Sequence, residues 1–145
     1  MKEHDDLINH AIAKNLIRDA IEGMKHAYTP YSHFKVGAAL LTKNNKVYKG
    51  CNVENAAYGP TNCAERTAVF KAISEGEREF AAIAIVGGKN GLVRELCPPC
   101  GVCRQVLREF VDPKNFIVVL ASSEEDYSVF LLEDLLPLSF GPENL

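Results

Sequence analysis

Apolar residues recur at Ile8, Ile12, Leu16, Ala20 and Ala27, with Lys14, Arg18, Asp19 and Glu22 between them. This near-helical spacing predicts an amphipathic helix over roughly residues 5 to 27, capped by Asp5 or Asp6 and ended by Thr29-Pro30. The mostly apolar run 34–41 predicts a strand, and Asn44-Asn45 a hairpin turn into the alternating strand 46–53. After a loop rich in Asn, Gly and Pro, a helix is predicted over 63–74, stopping at Gly76. The all-apolar run 81–86 has the character of a strand buried on both faces. Gly87-Gly88-Lys89-Asn90-Gly91 then reads as a loop, since its glycines match neither phosphate-cradling spacing. A second helix is predicted over 101–111 with Pro99 suited to its start. Strands at 116–120 and 127–131 follow, then a helical turn over 132–136 ended by Pro137. The order α-β-β-α-β-α-β-β predicts an α/β sandwich whose sheet opens with an antiparallel hairpin and continues through parallel crossovers.

A chain of 145 residues with 47% apolar and 24% charged positions is expected to form one domain spanning 1–145. Its net charge of -3, without a cluster of Lys and Arg, argues against a nucleic-acid partner. The N-terminus is too charged for a signal peptide, and no apolar run approaches membrane-spanning length. A cytoplasmic protein without a membrane partner is therefore expected. Five cysteines, an odd number without an export signal, favour thiols free for metal over a disulfide framework.

Chemistry concentrates in two stretches, Thr61-Asn62-Cys63-Ala64-Glu65-Arg66 and Pro98-Pro99-Cys100-Gly101-Val102-Cys103-Arg104-Gln105. They offer three thiols and one carboxylate, each at the start of a predicted helix. There the backbone N–H groups and helix dipole favour thiolate over thiol. Three Cys ligands leave one of zinc's four tetrahedral positions open, which marks a catalytic site. The spacing Cys63-x-Glu65 with Pro99-Cys100-x-x-Cys103 is similar to that of zinc deaminases, where the Glu moves protons and is not a ligand. Three thiolates around a divalent ion leave a net negative charge, so a cation is needed nearby. Arg66 and Arg104 are the candidates to donate hydrogen bonds to sulfur. A purely structural zinc would instead require a fourth protein ligand, for which Cys51, Cys97 and His33 are available. Cys51 reads more simply as a small buried residue, and His4, His10 and His26 as surface residues.

From about residue 28 onward the chain resembles the small, homotetrameric cytidine deaminases of the three-cysteine zinc type, in motifs that occur in the family's order. These are Tyr28-Thr29-Pro30-Tyr31-Ser32, Phe34-Lys35-Val36-Gly37-Ala38-Ala39-Leu40, Gly50-Cys51-Asn52-Val53-Glu54-Asn55-Ala56-Ala57-Tyr58, and the two cysteine stretches. The resemblance implies a three-layer α/β/α sandwich around a five-stranded mixed sheet. It implies one Zn2+ per subunit on Cys63, Cys100 and Cys103, and Glu65 as the proton shuttle. It places Asn52 and Glu54 on the ribose hydroxyls with Val53 between them adding backbone, Phe34 on the pyrimidine, the backbone of Ala64 on the base, and Arg66 as the moderator of the thiolates. Phe140 matches the C-terminal aromatic that covers the base in another subunit's site, so a homotetramer with shared sites is implied. Pro98, where the family usually carries a small residue, and the additional thiol of Cys97 are departures that touch no ligand.

The implied activity is hydrolytic deamination of cytidine and deoxycytidine, as in pyrimidine salvage. Three other functions compete with it. Asn52-x-Glu54 suits a sugar and weighs against an enzyme of the same fold acting on another amine-bearing base or on a cytosine-containing antibiotic. The acidic charge weighs against a polynucleotide editor. Glu65 weighs against a zinc-stabilised scaffold, which has no use for a carboxylate two residues from a ligand.

Overall fold

The computed structural model describes residues 4–145. Its helices are α1 (His10–Met24), α2 (Ala64–Ser74), α3 (Gly101–Phe110) and the short α4 (Leu132–Leu135). Its strands are β1 (Phe34–Thr42), β2 (Val47–Cys51), β3 (Phe80–Lys89), β4 (Ile117–Ala121) and β5 (Tyr127–Leu131). The five strands form one sheet in the order β2-β1-β3-β4-β5. β1 lies antiparallel to both β2 and β3, β3 and β4 are parallel, and β4 and β5 are antiparallel. The sheet is therefore mixed, as the resemblance implies, and the expected series of parallel crossovers reduces to one pair. The tight turn at Ser122 and Asp126 explains part of the difference, because a hairpin closes without a crossover helix.

Alternation along the strands sends side chains to two separate cores. Ala38, Leu40, Ile83, Ile85, Val118 and Leu120 pack under Ala68, Val69, Ala72 and Leu107 of α2 and α3. Ala39, Ala82, Ala84, Val86, Val119 and Ala121 face Ala13, Leu16, Ile17 and Ala20 of α1. β3 is thus buried on both faces, and the result is a three-layer α/β/α sandwich.

Several element boundaries differ from the sequence-based expectation. α1 starts later, because the Asn9 side chain accepts from Ala11 N at 2.8 Å and caps it. Asp5 and Asp6 fall in a separate 3-10 turn, Asp5–Leu7. The buried stripe is rotated toward Ala13, Leu16, Ile17, Ala20, Gly23 and Met24, which leaves Ile12 exposed. β3 continues through Gly87 and Gly88, pairing Phe34 with Lys89 and Val36 with Gly87. The turn is confined to Asn90 and Gly91, both at positive φ. His10, expected only at the surface, also stacks on the Tyr127 ring.

Candidate metal and substrate site

The site is assembled at the N-termini of α2 and α3, which follow β2 and β3. Gly50 of β2 sets the depth of α2. A Cβ there would lie 2.6 Å from Ala68 N and 3.1 Å from Ala68 Cβ, so only glycine lets the first helical turn rest on the strand. Cys63 is the N-cap in extended conformation and makes no side-chain cap bond, so its sulfur is not engaged by the helix backbone. Behind it, Asn62 Nδ2 donates to Thr67 Oγ1 at 3.1 Å, and that hydroxyl donates to Cys63 O at 3.1 Å. Cys100 is the N-cap of α3, and its Sγ accepts from Cys103 N at 3.4 Å.

The three sulfurs lie within 4.8 Å of one another, and Cys63 Sγ and Cys100 Sγ are 3.7 Å apart. Thiolates bound to one zinc at about 2.3 Å and the tetrahedral angle sit about 3.8 Å apart. Donor type and spacing therefore fit a zinc ion. Among the described residues no further His, Cys, Asp or Glu joins the cluster, so the fourth protein ligand of a structural site is not supplied. Cys97 is turned against Gly87, and burial pushes its thiol up to about 11. Burial likewise raises Cys51.

The charges around the cluster are arranged for chemistry near neutral pH. A hydrogen bond from Cys103 holds the Cys63 thiol down at about 5, with help from Arg66 and Cys100. The same hydrogen bond, together with burial, drives the Cys103 thiol upward. Arg66 Nη2 donates to Cys63 Sγ at 3.2 Å, while its Nε is buried without a protein partner. Glu65 is only 4% exposed. Burial pushes its carboxyl up to about 7, against the opposing pull of its own backbone N–H. Such a group gains and loses a proton near neutrality. Arg104 departs from expectation: its Nε donates to Pro99 O at 2.7 Å and its Nη1 to Leu135 O. It braces the backbone beside Cys100 and is not turned to a sulfur, because the carbonyls flanking α3 capture its planar fork of donors.

The residues implied in substrate binding surround this centre unevenly. Segment 52–54 is held between two neighbours: Tyr28 N donates to Asn52 O, and Val53 and Asn62 exchange backbone bonds at 2.9 and 3.0 Å. Because Asn62 directly precedes Cys63, Asn52, Val53 and Glu54 are tied to the metal helix. The Asn52 side chain accepts from Val36 N at 2.9 Å and donates to Phe34 O at 2.8 Å. Each end keeps one further hydrogen-bonding position. Glu54 accepts from the Ser32 hydroxyl, Ser32 N and Tyr31 N, and the Ser32 hydroxyl above all holds its carboxyl below the usual range. Phe34 is exposed and lines a cleft of about 600 Å³ with Cys97 and Pro98, a size suited to a small ligand. Ala64, whose backbone is implied in contact with the base, is fully buried in the first turn of α2. Phe140 lies 59% exposed on the outer side of α3, where Gln105 Nε2 donates to its carbonyl at 2.9 Å.

Sequence reasoning missed Ser32, Asn62 and Gly50 as supports of the site. Ser32 and Asn62 sit inside or beside quoted motifs, but only the fold shows which side chain each one holds.

Two helix N-termini delivering three sulfurs, with a buried acid between them, define a zinc deaminase centre. The family model for the cytidine and deoxycytidylate deaminase zinc-binding region matches residues 11–120, and the chain belongs to that family. It is 48% identical over 130 residues to a cytidine deaminase of Halalkalibacterium halodurans, covering 90% of this chain and 95% of that one. A cytidine deaminase of Sporosarcina psychrophila is 46% identical, over 91% and 93% of the two chains. The crystal structure of cytidine deaminase from Burkholderia pseudomallei superposes with a TM-score of 0.81 at 49% identity, over 92% of this chain and 100% of that one. That from Mycobacterium tuberculosis gives a TM-score of 0.74 at 40% identity, over 88% and 95%.

Proposed function

We propose that this protein is a cytidine deaminase, converting cytidine and deoxycytidine to uridine and deoxyuridine with release of ammonia. The observation that carries this is a buried Glu65, poised to titrate near neutrality, beside a three-sulfur cluster with no fourth protein ligand. A scaffold has no need of such an acid, and a polynucleotide substrate is poorly matched to a chain of net charge -3.

Cys63, Cys100 and Cys103 hold the zinc. When bound, zinc supplies a Lewis acid that lowers the pKa of water. Glu65 accepts the proton of the attacking water and returns protons to the ring nitrogen and the departing amine. Arg66 draws charge from Cys63 through its hydrogen bond, which offsets the excess negative charge of three thiolates. Phe34 packs on the pyrimidine. Asn52 and Glu54 bind the ribose hydroxyls with the capacity left over from their internal bonds, and Val53 adds only backbone. The exposed ring of Phe140 covers the base in a neighbouring subunit's site, within a homotetramer. The chain acts as a single catalytic domain over 1–145, in pyrimidine salvage in the cytoplasm; among the described residues no helix is long and apolar enough to cross a membrane.

Incubating the purified protein with cytidine, deoxycytidine, cytosine and guanine while following the ultraviolet spectrum tests the assignment. The two nucleosides should be converted and the free bases left unchanged. Turnover of guanine or cytosine, with the nucleosides inert, would reject it.

A further inference from the structure

α3 carries Cys100 and Cys103 in its first turn, and further along the same helix it holds the C-terminal tail. Gln105 and Arg108, three residues apart and therefore neighbours on the helix surface, both reach that tail. Gln105 Nε2 donates to Phe140 O at 2.9 Å. Arg108 is 6% exposed although charged. Its Nε donates to Ser139 Oγ at 2.7 Å, and its Nη2 pairs with the Glu143 carboxylate. Between these contacts Gly141 lies against the guanidinium itself. A Cβ there would sit 2.5 Å from Nη1 and 2.6 Å from Nη2. Gly141 has extended backbone that any residue adopts, so a side chain there would meet no backbone strain and would instead push on the arginine's guanidinium. Asn144 Oδ1 closes the arrangement by accepting from Gly141 N at 2.8 Å.

These bonds bracket Phe140 on both sides while its ring stays exposed. Covering α3 alone would need only apolar contact, whereas a buried charge demands partners. A planar fork with several donors fixes direction in a way apolar contact does not. We propose that Arg108 is a positioning residue for the reaction: acting through Phe140, it fixes the direction in which the ring is presented to a neighbouring subunit's site. The proposal rests on the reading that Phe140 covers the base.

The zinc-loaded protein carrying Gly141→Ala, Arg108→Met, Arg108→Lys or Phe140→Ala provides the test. The measurements are KM and kcat for cytidine, zinc content, and hydrogen exchange of the tail amides. Gly141→Ala leaves every residue of α3 in place, so it carries the test even if Arg108→Met fails to fold. Its methyl should displace the guanidinium, expose the Gly141 and Asn144 amides to exchange, and raise KM about tenfold, as loss of a charge-assisted hydrogen bond does. Zinc content and kcat should not change. Arg108→Lys keeps the charge opposite Glu143 but loses the flat face and the Ser139 bond, so its KM should fall between those of wild type and Arg108→Met. A wild-type KM in Gly141→Ala, with KM raised in Phe140→Ala, would overturn the proposal and leave the covering role of Phe140 intact. An unchanged KM in Phe140→Ala would instead remove the covering role, and the role of Arg108 with it. Loss of zinc and kcat in Gly141→Ala would make the contacts between Arg108 and the tail merely structural and also overturn the proposal.

Discussion

The two ends of the site are built in opposite ways. Around the sulfurs every group is delivered by one chain: Cys103 and Glu65 are buried, and Arg66 reaches Cys63 from the next turn of the same helix. Away from the sulfurs, Phe34, Val53, Tyr58 and Phe140 are all exposed, and Leu138 stands fully exposed at positive φ beside the Phe140 segment. The contrast separates chemistry from enclosure. A buried acid keeps its shifted pKa only where water is excluded, so the proton-transfer machinery has to be finished within the fold. On the proposed reading, enclosure of the base is left to a neighbouring subunit, and the exposed Phe140 ring would lie at that interface.

Variants at each end should therefore fail differently. Cys103→Ala is expected to have the largest effect, losing most zinc and all measurable activity; metal analysis and cytidine turnover check both. Full zinc retention in that variant would move a ligand to Cys97 or Cys51. Glu65→Gln should keep its zinc and much of its substrate affinity while turnover falls by roughly 10²–10⁴-fold or more. A loss within about tenfold on that scale would remove Glu65 from the mechanism. In the metal-free protein Glu65 should also leave a pH signature. Its carboxyl is pushed up to about 7 in the fold, whereas an unfolded chain releases that proton near the ordinary value. Between those two values the folded state binds the extra proton, so stability falls as pH rises, by about 3 kcal/mol in all. In denaturant titrations from pH 4.5 to 7.5, metal-free wild type should lose stability relative to metal-free Glu65→Gln as pH rises. A constant difference between them would contradict the shift.

Phe140→Ala, at the other end, should raise KM by roughly ten- to a hundredfold, on the scale of aromatic stacking on a base, with zinc unchanged. Reassembling dissociated Phe140→Ala and Glu65→Gln subunits together should restore wild-type affinity in sites that combine an intact Glu65 with a neighbour's intact Phe140. A fully active monomer would remove the shared-site account.

The same division governs what could be read from the chain. The cysteines and Glu65 were legible because their spacing on helix starts is local: Cys100 and Cys103 share a face by period alone. Arg66 was legible for the same reason, one turn from Cys63. Arg104 was not, because its partners Pro99 and Leu135 lie on segments that only the fold brings beside it. The continuation of β3 through Gly87 and Gly88 was hidden because glycine signals a turn locally, while pairing with Val36 and Lys35 overrides that preference. The strand directions depended on contacts between distant segments, to which hydrophobic patterning is blind. Arg108 gave no sign at all, since its partners Ser139, Gly141 and Glu143 lie more than thirty residues away.

The central claim is that one zinc on Cys63, Cys100 and Cys103 converts this fold into a cytidine deaminase. Stepwise return of zinc to the metal-free protein, with conversion of cytidine followed at each addition, tests it most directly. Activity should begin near zero, rise in proportion to bound zinc and level off at one ion per chain. Undiminished conversion in the metal-free protein, or a fully zinc-loaded protein that leaves cytidine unchanged, would contradict it.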